Sequence, residues 1–198
     1  MNVNELVSQL LEKAESVLPP GELVPYIGNL FQFNKNRQFE KRIKANEEKL
    51  IKIFKSISEV EYDFFVEKIG TLAIQKIILD EQDDKAEYFV LGFENCVNKN
   101  LKDEDRIINY FDVISDLRMI DIKRLIFLYE YLEGKEPENV FGSDISSHTR
   151  YVDQKLDRMN LIIKPTFEGM ESDTVIDQVT ITTFALEILD FIGYVYEQ

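Results

Sequence analysis

Residues 146–165 read SSHTRYVDQKLDRMNLIIKP, and residues 176–196 read IDQVTITTFALEILDFIGYVY. In the first stretch Ser146 or Ser147 is placed to cap a helix running to about Asn160, because a serine hydroxyl accepts from the free amides of a first helical turn. Val152, Leu156 and Met159 fall on one side of that helix. The period then changes: residues 161–165 and 176–182 are short, β-branched and partly alternating, with a polar loop over 166–174 between them. That pattern predicts a hairpin over about 161–182. The chain then returns to helical spacing over 184–196, where Phe184, Ile188, Phe191 and Val195 adjoin Ala185, Leu189 and Ile192 and predict burial over a wide arc.

Upstream, Asp121 is placed to cap a helix through Leu132, with Ile122, Leu125, Tyr129 and Leu132 inward and Gly134 and Pro137 closing it. The order helix, helix, strand, strand, helix is that of a winged helix with one extra C-terminal helix. The fold class expected is mainly α, a multi-helix body with a C-terminal winged-helix-like lobe. Three segments follow: 1–58, an N-terminal helical segment with an apolar turn and a basic helix; 59–118, a central helical part; and 119–198, the winged-helix-like lobe.

The first segment opens on an amphipathic helix over 3–17, stopped by Pro19-Pro20-Gly21, and continues through a turn-rich apolar stretch over 22–33. Helical spacing resumes from about Asn34 to Ser56. In the central part, Phe64, Phe65, Ile69, Leu72, Ala73 and Ile77 predict a helix over 60–79, ended by the polar cluster Asp80-Glu81-Gln82-Asp83-Asp84. Ala86, Phe89, Val90, Phe93 and Val97 form the next apolar stripe, with Cys96 at its edge. A further helix starts near Asp103, its first turn carrying Asp103, Glu104 and Asp105, where carboxylates suit the positive end of the helix dipole.

With 44% hydrophobic and 30% charged residues in 198, the chain has the composition of a folded protein. Its single cysteine forms no internal disulfide, and no signal-peptide pattern follows Met1, so a reducing cytoplasm is the expected compartment. The longest mostly apolar run near the C-terminus, 184–196, is too short to span a bilayer and contains Glu187 and Asp190. The net charge of −14 opposes binding to a phosphate backbone.

Three stretches together resemble the Abi-alpha family of bacterial and phage-associated proteins, named for abortive infection. Asp83-Asp84-Lys85-Ala86 runs into Phe93-Glu94-Asn95-Cys96, Leu117-Arg118-Met119-Ile120-Asp121-Ile122 opens the next lobe, and a helix ending over residues 156–162 precedes the strand-to-helix stretch from Thr180 to Ile192. The likeness spans about residues 80–195. Where related winged helices carry Leu-Gly-Leu-Ile before the wing, this chain has Met159-Asn160-Leu161-Ile162 and so lacks the glycine of that turn. The resemblance implies a role in phage–host conflict and transfers no catalytic residue.

The residues themselves disfavour an enzyme. His148 is the only histidine and sits among helix-start residues, the glycines form neither a phosphate loop nor a dinucleotide fingerprint, and the acidic run 80–84 lacks the alternating ligands and central glycine of a calcium loop, reading as a solvated joint. No cofactor, metal or catalytic residue is expected. On the winged-helix reading, Arg150, Lys155 and Arg158 are the candidate nucleic-acid contacts, opposed by Asp153 and Asp157 and by four basic against ten acidic residues over 141–198. Residues 35–55 hold eight basic side chains against three acidic, a local +5, so Lys35, Arg37, Lys41, Arg42 and Lys44 are candidates for an anionic surface. The bland alternative is a basic face packed against the acidic remainder. The leading expectation is a non-enzymatic protein-interaction module, with a DNA-binding regulator and a peripheral membrane protein as the other readings.

Overall fold

A computed structural model of the chain describes residue 38 and residues 41–136, 147–164 and 179–194. These residues are mainly helical and include one two-stranded antiparallel hairpin near the C-terminus. The chain divides into two units, Met1–Ser115 and Asp116–Gln198. The helix expected over 3–17, the apolar stretch 22–33 and the hairpin loop 166–174 lie outside the described residues.

In the first unit, residues 41–45 are helical and lead through Asn46 into α1, Glu47–Ser56, which turns Leu50 and Ile53 into the core. A 3₁₀ turn, Glu59–Glu61, precedes the stretch Asp63–Gly70, which is wound as a π-helix and runs straight into α2, Thr71–Leu79. The sequence pattern predicts one continuous helix here. Hydrophobic spacing reports which side is buried, and does not distinguish i→i+4 from the wider i→i+5 winding. Gly70 closes the π segment: a Cβ there would lie 3.1 Å from the Phe65 carbonyl oxygen and 3.3 Å from Phe93 Cζ.

A second 3₁₀ turn, Asp83–Lys85, leads into α3, Ala86–Asn98, followed by α4, Glu104–Asp116, whose first turn is capped by the Asp103 carboxylate accepting from the Arg106 amide at 3.1 Å. Both α1 and α2 pack on α3. Phe54 meets Phe93 at 5.5 Å between ring centroids and Phe89 meets Phe111 at 6.3 Å, distances at which aromatic pairs add to simple burial. Cys96 is fully enclosed in this core.

The second unit follows the expected order: α5, Met119–Leu132; α6, Ser147–Arg158; β1, Ile162–Ile163; β2, Thr180–Ile181; and α7, Thr183–Phe191. The strands pair Ile162 with Ile181 and Ile163 with Thr180. This is the order of a winged-helix-like lobe. α5 packs on α6 and α6 on β1, burying Leu125, Leu128, Val152, Leu156, Leu161 and Ile162. Thr182 ties the hairpin to the final helix: its hydroxyl accepts from the Ala185 amide at 3.1 Å as an N-cap and donates to the Asn160 carbonyl at 2.7 Å.

Two boundaries differ from the sequence reading. α5 starts at Met119, and Asp121 caps it from the third position, its carboxylate accepting from the Arg118 amide at 2.8 Å. α7 ends at Phe191, just before Gly193 at φ 76°.

The turn without its glycine is resolved by Asn160. Its φ is 56°, the left-handed region that asparagine tolerates better than other non-glycine residues. The Leu161 amide donates to the Leu156 carbonyl and the Asn160 amide to the Asp157 carbonyl, both at 2.9 Å, which is the Schellman arrangement that closes a helix. An alanine at 160 should cost about 1 kcal/mol of unfolding free energy in urea, whereas Asn160→Gly should be neutral or slightly stabilising. Equal losses from the two substitutions would refute the left-handed assignment.

Candidate functional site

Arg124 lies on the buried side of α5 among Ile122, Leu125 and Leu128, and Asp153 lies on the buried side of α6 between Val152 and Leu156. Packing the two helices joins these charges. Arg124 Nε donates to Asp153 Oδ1 at 2.8 Å and Nη2 to Oδ2 at 2.9 Å, with the aspartate fully enclosed and the arginine 3% exposed. The planar guanidinium matches a carboxylate with two parallel bonds, the arrangement that best offsets the desolvation of two buried ions. The guanidinium also sits 5.3 Å from the Phe127 ring centroid.

A second pair lies farther along the same helix. Lys155 Nζ donates to Asp121 Oδ2 at 2.5 Å and to the Asp116 carbonyl at 2.7 Å. Of the three candidate nucleic-acid contacts, Lys155 is therefore turned into the lobe, while Arg150 and Arg158 remain exposed. Asp153, which the sequence reading counts against phosphate, is also removed from the surface. The exposed side of α6 consists of Ser147, His148, Arg150, Tyr151, Gln154, Asp157 and Arg158, with Tyr151 58% exposed. Arg158 Nε donates to the Gln154 carbonyl at 3.2 Å.

The anionic-surface candidates of the first unit separate in the same way. Lys35 and Arg37 lie outside the described residues, and Lys44 is exposed. Lys41 is exposed but donates to Asp83 Oδ2 at 2.9 Å. Arg42 is buried: Nε donates to Asp83 Oδ1 at 2.8 Å, and Nη1 donates to the carbonyls of Ile77 at 2.6 Å and Asp80 at 2.8 Å. Those carbonyls belong to the end of α2, where a cation satisfies free acceptors and the negative end of the dipole. A guanidinium enclosed in this way is not presented to a surface outside.

The acidic run 80–84 is only partly the solvated joint that its composition predicts. Glu81 and Asp84 are exposed, but the Asp80 side chain is 7% exposed and pairs with Lys85 Nζ at 2.5 Å, and Lys85 also donates to the Ser115 carbonyl at 2.9 Å. The bonds from Lys41 and Arg42 hold the Asp83 carboxyl below the usual carboxylate range. Burial pushes the Cys96 thiol up to about 12, so it is protonated at neutral pH and is a poor nucleophile. His148 is exposed in the first turn of α6. Among the described residues, no three His, Cys, Asp or Glu side chains are grouped to hold a metal ion, and no helix is long and apolar enough to cross a membrane.

Sequence reading passes over Arg124, Asp153, Arg42 and Lys85 as structural groups. The available signal was a charged residue at a core position of an amphipathic helix: Arg124 beside Leu125, Asp153 beside Val152, Arg42 beside Ile43. No protein-family model matches this chain, and no curated protein or solved structure matches it either.

Two outcomes follow from these pairs. Asp153→Asn removes the carboxylate matched to a buried guanidinium and should cost about 3–5 kcal/mol in denaturant unfolding, while the double change Arg124→Met, Asp153→Leu should be more stable than either single change. A small loss for Asp153→Asn would show that the pair is solvated. Asp83 titrates below its unfolded-state value of about 3.9. Its contribution is complete above that pH and is lost as the pH falls through the folded value. Stability should therefore decline less steeply below about pH 4 in Asp83→Asn than in the parent; parallel curves would mean that Lys41 and Arg42 do not hold this carboxylate in solution.

Proposed function

We propose that this chain is a non-enzymatic protein-contact module that presents the outer face of α6 to a partner protein, acting in phage defence or its regulation as the Abi-alpha resemblance implies. The observation that carries this is Tyr151, a large aromatic side chain left 58% exposed between Arg150 and Arg158 on a helix whose Asp153 and Lys155 are turned inward. Tyrosine and arginine are the residue types in which protein-interface binding energy concentrates. The buried acids Asp80, Asp121 and Asp153 are each engaged by a lysine or arginine, which suits a scaffold better than a carboxylate site open to substrate.

A duplex partner has less support. Lys155 is withdrawn, two arginines remain beside Asp157, and the acidic balance of residues 141–198 stands against a phosphate backbone. A lipid surface loses Arg42 to the interior and has Lys41 shared with Asp83.

A photo-reactive residue in place of Tyr151 should give a discrete protein adduct when cells that naturally carry the chain are irradiated. The same residue at Lys123, exposed on α5, is the control. Absence of an adduct at 151, or the same adduct from both positions, would overturn the assignment of this face.

A further inference from the structure

We infer that Asp63–Gly70 is a winding joint with two states, π and α, that passes one residue between the helix and the surface turn before it. A π turn closes i→i+5 and so holds one residue more than the i→i+4 turn of an α-helix. The eight residues Asp63–Gly70 are wound in the wider way and run into α2 without a break. The junction is left incomplete. The Thr71 amide donates to the Lys68 carbonyl, three residues back, and the Thr71 hydroxyl is enclosed with no hydrogen-bond partner among the described residues. An enclosed hydroxyl without a partner opposes the winding that leaves it so. In α winding a threonine amide reaches the carbonyl four residues back, and its hydroxyl can bond a carbonyl three or four back. Rewinding therefore supplies what Thr71 lacks.

The surroundings accept a slip of one residue. α2 is held by its packing on α3 and by Lys76 Nζ on Asp112 Oδ1 at 2.5 Å, so the spare residue leaves toward the N-terminal end. Phe64, Phe65 and Val66 are three consecutive apolar residues, and a shift by one puts one such side chain in the place of another. The rings of Phe64 and Phe65 already lie 5.1 Å apart between centroids. The receiving turn, Glu59–Glu61, buries none of its residues, and Val60 is 96% exposed, so a further residue there unpacks nothing. Gly70 is what admits the π state. A Cβ at that position meets the carbonyl of Phe65, five residues back, at 3.1 Å. Whatever pins or lengthens the turn over 59–62 thereby selects one winding over the other.

The test uses the full chain, isotopically labelled. Amides of residues 64–72 should show microsecond-to-millisecond exchange in relaxation dispersion, the range of helix register shifts. Thr71→Val, which keeps the shape and removes the hydroxyl, should reduce that exchange, and Gly70→Ala should raise the minor population. Deletion of Glu67, an exposed residue of the joint, should leave the urea midpoint close to the parent's and abolish the exchange, because no residue remains to spare. Couplings across the hydrogen bonds should then show the Thr71 amide paired with the carbonyl four positions back. Deletion of Glu94 from the regular helix α3 should instead destroy the cooperative transition. Flat dispersion over 64–72 in the parent, unchanged exchange in Thr71→Val, or a Glu67 deletion as damaging as that of Glu94 each overturns the two-state joint.

Discussion

An enclosed arginine facing an enclosed aspartate decides the geometry of the second unit. With Arg124 and Asp153 both out of water, each offsets the other's desolvation, and the two-bond match orients α6 against α5. Lys155 adds a second point of attachment through Asp121. Two attachments along one helix fix its orientation as well as its position, which apolar packing alone does less sharply because it lacks direction.

The first unit obeys the same constraint with different parts. Arg42 reaches from the helical turn over 41–45 to the end of α2, where it meets two carbonyls and Asp83. Lys85 is satisfied by Asp80 and by the Ser115 carbonyl. In both units a side chain that reads as a surface charge is consumed in joining helices. A basic stretch counted by composition is therefore not a basic surface. Of the five residues nominated for an anionic surface, Arg42 is enclosed and Lys41 is shared with an acid, and the local balance of +5 is discharged partly against the acidic corner between α2 and α3.

The backbone is closed with equal economy. Asn160 ends α6 in the left-handed conformation, and the Asn160 carbonyl then accepts from the Thr182 hydroxyl, which in turn caps α7. One residue pair thus links the end of α6, the hairpin and the start of the final helix. The result is a lobe whose inner charges pair within it, while Tyr151 is left 58% exposed on the outer side of α6.

The sequence by itself determined the element types of the second unit and most of their order. The 3.6 period, the change to β-branched alternation at Leu161 and the return to helix near Phe184 are local properties, set by side-chain spacing along the chain. It also marked Cys96 as a core residue, through its place beside the Phe89 and Phe93 stripe. Only the tertiary structure decided which charges were surface and which were struts. Arg124 and Asp153 are 29 residues apart, and Arg42 and Asp83 are 41 apart. A charge at a core position announces that a partner is needed and does not say which one, because the choice is made by helix packing across a distance that no local pattern encodes. The π winding of Asp63–Gly70 was illegible for the same reason: the apolar spacing fits both windings, and the contact of Gly70 with Phe93 belongs to the assembled core.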